Sequence, residues 1–235
     1  MMPVLHNISV TLEIEKVLRR QGLGNRSKIR PWIMALVPEL LAAAKRHLLE
    51  PAVVYEYYPV TRIEGDRLSL GGGPIFHGDF IAKGLASAVE AALAVCTIGA
   101  CLEDKVTEYF TQDPLRATLL DGIGSAAVDA LSRKVCQFIH RKAEARGYET
   151  SSPFSPGIQG FPLAAQSDLC RFVGAERIGV SLTSAAMMVP RKSASMVIGL
   201  GKRMPVWTQA QACEICALKR SCHDRVLQPS SPFPL

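Results

Sequence analysis

Apolar positions along the chain switch between helical and strand spacing. Leu12, Ile14, Val17 and Leu18 recur with charges between them, which predicts a short amphipathic helix over 12–20, stopped at Gly22 and Gly24. Ser27 reads as the N-cap of a second helix reaching to about Leu49, which Pro38 is expected to kink or split. From Pro51 the texture becomes β-branched and aromatic through Val53-Val54-Tyr55-Glu56-Tyr57-Tyr58-Pro59-Val60, and Leu68-Ser69-Leu70 alternates after Glu64-Gly65-Asp66, so a hairpin is predicted. Gly71-Gly72-Gly73 lacks the spacing and the Lys-Ser/Thr pair of a phosphate loop and reads as a turn.

Ala91 to Ile98 has the continuous apolar run of a buried strand, and Leu102 to Phe110 reads as a short helix ended by Asp113-Pro114. One long helix is predicted from Pro114 to about Arg146, with a core-facing stripe at Leu115, Leu119, Ile123, Ala127, Leu131, Val135, Phe138 and Ile139. Gly122 and Gly124 inside it cost about 1 kcal/mol each relative to Ala, so a neighbour is expected to approach closely there. Residues 151–162 hold too many prolines and glycines for regular structure and read as a loop. A helix over Leu163–Phe172, two short segments at Ile178–Leu182 and Ala185–Pro190, and a strand over Ser193–Leu200 complete the chain. Mixed elements without βαβ alternation predict an α+β fold: one mixed domain with a central, mainly antiparallel sheet and long flanking helices. Its expected organisation is an N-terminal helical segment at 1–50 packing on the core, a core at 51–205 and a tail at 206–235.

With 48% hydrophobic residues and 20% charged, the chain has the composition of a folded protein. Its net charge of +6 comes from scattered short basic runs, and aromatics are only 6%, which points to docking on an acidic protein rather than to nucleic acid. No window is long and apolar enough to span a membrane, and the first residues lack the pattern of an export signal, so a cytoplasmic protein is expected. Neither a nucleophile elbow nor a metalloprotease helix motif is present. Glu103, Asp104 and Glu108 read as a solvated helix face, and His77 and His140 as isolated hydrogen-bonding histidines.

Seven cysteines is an odd count, and a reducing compartment favours free or metal-bound thiols. Cys213, Cys216 and Cys222 are spaced to converge on one ion or cluster, and lie in a polar segment. A 4Fe-4S cluster, a zinc ion held with His223, and no metal at all are the three readings of that spacing. Cys96, Cys101, Cys136 and Cys170 sit in apolar surroundings as small core residues, one of which could supply a fourth ligand.

Several fragments in order resemble the activation (reactivation) domain of vitamin B12-dependent methionine synthase and its free-standing relatives. They are Tyr57-Tyr58-Pro59-Val60, Thr97-Ile98-Gly99 with Leu102-Glu103, Asp121-Gly122-Ile123-Gly124-Ser125, Ser155-Pro156-Gly157, and Phe161-Pro162-Leu163 with Gln166. Ile178-Gly179-Val180-Ser181-Leu182-Thr183, Met188-Val189-Pro190, Lys192-Ser193-Ala194-Ser195 and the Cys213 cluster follow, covering roughly residues 50 to 225. The resemblance implies a domain that binds S-adenosylmethionine in an extended groove and presents it to a corrinoid in the inactive cob(II)alamin state. Cobalamin would therefore come with a partner, a corrinoid protein or cobalamin-dependent methyltransferase, and Ser155, Pro156 and Gly157 would lie at the ligand.

The family's binding loop reads Arg-x-x-Pro-Gly-Tyr, whereas this chain has Pro153 and Ile158 at the Arg and Tyr positions, and Arg133 falls where a ligand-facing acid is expected. These departures predict weak or absent S-adenosylmethionine binding. Two other readings stay open: a small-molecule enzyme that reuses the groove, and a non-catalytic scaffold subunit.

Overall fold

A strand of 13 residues, β2 (Ala52–Glu64), organises the fold, because its length lets it pair with several neighbours at once. The computed structural model describes residues 3–6, 8–20, 30–215 and 220. On one side β2 pairs along its first part with β1 (Val4–His6) and along its last part with β3 (Arg67–Leu70), which in turn pairs with β4 (Ile75–His77). On its other side lie β5 (Glu90–Thr97), β9 (Ser193–Gly201) and the short β6 (Glu149–Thr150), and every pairing is antiparallel. A separate two-stranded ladder joins β7 (Ser181–Leu182) to β8 (Met188–Val189).

Both faces of the sheet are covered. Val53, Tyr55, Ala92, Ala94, Cys96, Met196 and Ile198 point to one face, where α1 (Ile14–Arg20), α2 (Pro31–His47), α4 (Cys101–Gln112) and the 31-residue α5 (Pro114–Glu144) bury their apolar stripes. Val54, Tyr58, Leu93, Val95 and Val197 point to the other, packing against α3 (Asp79–Gly84), α6 (Ala165–Val173) and the aromatic rings of Phe154 and Phe161. Period-two alternation divides each strand between two cores, which explains why Ala91–Ile98 reads as uninterrupted apolar sequence. The α+β class with a mainly antiparallel sheet and flanking helices is therefore as expected.

Details of the N-terminal part refine the expectation. The N-terminal segment is not purely helical, since β1 joins the sheet. Pro38 does not split α2, which runs unbroken from Pro31 to His47; its lost backbone bond costs about 3 kcal/mol, and burial of Val37, Leu40, Leu41 and Ala44 beside it offsets that loss. Ser27, the expected cap, lies outside the described residues. Asp113 both ends α4 and caps α5, its carboxylate accepting the Arg116 amide at 3.1 Å.

Candidate functional site

The Ser-Pro-Gly stretch after β6 continues along the free edge of β9. Ser151 N bonds Gly199 O at 2.9 Å, and Phe154 and Val197 exchange backbone bonds at 2.9 and 2.8 Å. Ser151 and Ser152 are buried and satisfied: the Ser151 hydroxyl accepts the Gly199 amide and donates to Ser152 O, while the Ser152 hydroxyl accepts the Trp207 amide, each at 2.9 Å. The Phe154 ring is fully buried, with Phe80 at 5.2 Å and Trp207 at 4.7 Å between centroids. The loop is thus fastened to the sheet on its inner side before it reaches Ser155.

Ser155, Pro156 and Gly157 then form a tight turn: Ile158 N bonds Ser155 O at 3.3 Å and Gly157 N bonds Phe161 O at 2.8 Å. Gly157 has φ of +96°, which favours glycine. Those two amides are committed inside the turn, and the Ile158 side chain packs against the Phe154 core. Buried Gln166 braces the region from behind, its amide donating to Ala186 O at 2.6 Å and its carbonyl accepting the Ser195 hydroxyl at 2.9 Å. One side chain thereby ties α6 to β9 and to the β7–β8 hairpin. Leu163, Met187 and Val189 stay exposed on these same elements.

A second group of fragments converges on Lys192. Its ammonium reaches Asp121 at 2.8 Å and the Ser125 hydroxyl at 2.9 Å, and its amide donates to Glu103 at 2.6 Å. Next to it the Ser193 hydroxyl donates to Thr97, which also accepts the Gly99 amide. A Cβ at Gly124 would meet Leu102 at 2.7 Å and the Lys192 stem at 3.4 Å, so the close approach expected at this glycine is real. Glu103 is not on a solvated face: its side chain is 16% exposed and holds Arg191 and Lys192. Glu108 is solvated as expected and pairs with Lys105. The Ser125 hydroxyl accepts from Lys192 and donates to Asp121 O at 3.2 Å, so both of its roles are used inside the cluster, which is a clasp between α4, α5 and β9.

His140 hydrogen-bonds Thr150 at 3.0 Å and lies 3.4 Å from Glu144, while His77 is exposed near Asp66. Arg133 lies on α5, in the helical layer across the sheet from the Phe154 core, close enough to Glu13 to help hold that carboxyl below its usual range after the larger effect of Lys16.

Cys213 is half-buried on α7 (Gln209–Ile215), while Cys216 and Cys222 lie outside the described residues. Among the described residues no three His, Cys, Asp or Glu side chains are grouped to hold a metal. The core thiols are poor candidates for a fourth ligand. Burial pushes Cys96 and Cys170 up to about 11 and Cys136 to about 12, and a ligand must be a thiolate. Cys96 and Cys136 also lie on the α5 side of the sheet, whereas Trp207 at the root of α7 packs on the other. Alkylation at pH 8 under native conditions is therefore expected to modify Cys96, Cys136 and Cys170 at least tenfold more slowly than in unfolded protein. Peptide-resolved mass spectrometry checks this, and comparable native and denatured rates at Cys96 would contradict it.

The fold is thus an antiparallel sheet with long helices on one face, and two short helices and a Ser-Pro-Gly edge loop on the other. The solved crystal structure of the MetH reactivation domain bound to AdoHcy is similar over 93% of this chain and 86% of that one, with a TM-score of 0.63 and 12% identity. No protein-family model matches the sequence, and no curated protein sequence does. The likeness is one of fold. No described helix is long and apolar enough to cross a membrane.

Proposed function

We propose that this chain is an accessory protein for a corrinoid-dependent methyltransferase, acting on the corrinoid partner in its inactive cob(II)alamin state. The observation that carries this reading is the fold likeness to the MetH reactivation domain across 93% of the chain. The chain's own contribution is to orient and shield, through an edge loop fixed by Phe154 and Gln166 with Leu163, Met187 and Val189 exposed around it. The test mixes the protein, prepared without oxygen, with a corrinoid methyltransferase poised as cob(II)alamin, S-adenosylmethionine and a one-electron reductant. Sedimentation should report a complex, and absorbance a faster loss of cob(II)alamin. Neither a complex nor acceleration with any corrinoid partner tried would sink the reading.

S-adenosylmethionine binding by the chain alone should be weak, with a dissociation constant beyond about 1 mM. Pro153 offers no guanidinium, Ile158 packs inward and offers no hydroxyl, and the Gly157 and Ile158 amides serve the turn. Calorimetric titration decides, and micromolar binding would refute the expectation. The double variant Pro153→Arg with Ile158→Tyr is expected to tighten binding at least tenfold.

Cys213, Cys216 and Cys222 are proposed to hold one 4Fe-4S cluster, or a zinc ion, as a unit. Half-burial of Cys213 beyond the Trp207 anchor suits a ligand at the protein surface. A cluster would supply one-electron delivery. Changing any one of the three to Ser should remove most of the bound metal while circular dichroism of the core is retained. Full metal content in all three variants, or none in the parent protein, would dismiss the ligand set.

A further inference from the structure

A pocket of about 260 Å³ opens between β1, β2 and α5, in the helical layer, across the sheet from the Phe154 core. Leu5, Ile8, Val53 and Phe138 make its floor and walls, and Lys134 and Arg141 stand at its rim. These two residues are seven apart on α5, about two turns, and so lie on one face of the helix. Arg116 at the start of α5 pairs with Glu39, and Arg146 just past its end pairs with Glu90. Lys134 and Arg141, by contrast, have no ion-pair partner among the described residues. Two unpaired cations beside an apolar hollow complement a single kind of molecule, one with an anionic head and a short apolar tail. The volume falls just below the range of about 300–1,000 Å³ for drug-sized ligands, which limits the tail to a short chain. Residues 21–29 would be a poor filling, since they bring Arg26 and Lys28 and no acid.

We propose that this pocket is a binding site for an anionic amphiphile with a tail of no more than about eight carbons, a carboxylate or alkyl phosphate, with the tail on Leu5, Ile8 and Phe138 and the head between Lys134 and Arg141. The site is independent of the corrinoid reading and of the Ser155–Gly157 loop. Calorimetric titration of the full chain with octanoate, octyl phosphate, 1-octanol and octylamine is the test. One or both anions should bind about tenfold or more tightly than octanol, with octylamine weakest, and the stronger anion identifies the head group. The double variant Lys134→Gln with Arg141→Gln, both on the surface side of α5, should bring the anions to the affinity of octanol while leaving octanol unchanged. Equal binding of octanol and the anions overturns the proposal. So does unchanged anion binding by the double variant, which would place the ligand elsewhere, or no binding of either anion at millimolar concentration.

Discussion

Replacing Phe154 with alanine is expected to lower the stability of the fold by about 4 kcal/mol, as large-to-small changes of buried phenylalanine do. The ring is fully buried and lies between Phe80, Trp207 and the underside of β9, so its removal leaves a hole that three different elements would have to close. Those elements are held elsewhere by hydrogen bonds, which limits collapse. Urea denaturation followed by circular dichroism measures the loss, and a decrease under about 1 kcal/mol would mean that the loop does not depend on this ring. Phe154→Leu, which keeps much of the volume, should cost clearly less.

Gly78→Ala should cost about 3 kcal/mol or more, from a half-buried residue at the N-cap of α3. Gly78 has φ of +146°, and a Cβ there would be driven into the Gly160 carbonyl, which already accepts the Phe80 amide at 3.1 Å. Backbone meets backbone, so no rotamer change relieves the contact. Gly72→Ala is the matched control: its φ is +72°, but nothing lies within 4 Å of the added carbon. The control should lose only about 1–2 kcal/mol, the cost of the left-handed conformation itself. Equal losses in the two variants, read from thermal unfolding, would show that the contact with Gly160 carries no weight.

The strands that build the sheet's centre were legible because each buries side chains on both faces. A run such as Glu90–Thr97 therefore has nowhere to place a charge except at its end. β1 and β4, at three residues each, are too short to display a period, and α3, at six residues, shows less than two turns. Asp113-Pro114 was visible as punctuation, yet its second role, capping α5, depends on a side-chain rotamer. The fragments around Thr97, Glu103, Asp121 and Lys192 stood out singly. Their convergence could not be read, because Lys192 finds its partners 67 and 89 positions away and only the fold brings them near. At the edge loop the sequence revealed proline and glycine but not the direction of the amides, and that direction turns the Gly157 and Ile158 N–H groups inward. Trp207 gave no local signal at all, since its importance lies in the Phe80 and Phe154 rings it covers.

The bonds between Ser152 and Trp207 also act as a tether. They pin the start of the C-terminal segment to the strand-like stretch that leads into Ser155. Cys213 follows Trp207 by six residues, so even a fully extended chain would leave it within about 20 Å of that pin. Its radius of action is a short leash centred on the sheet edge. Anything bound at this thiol is therefore kept within that distance of Ser152, where the stretch leading into Ser155 begins.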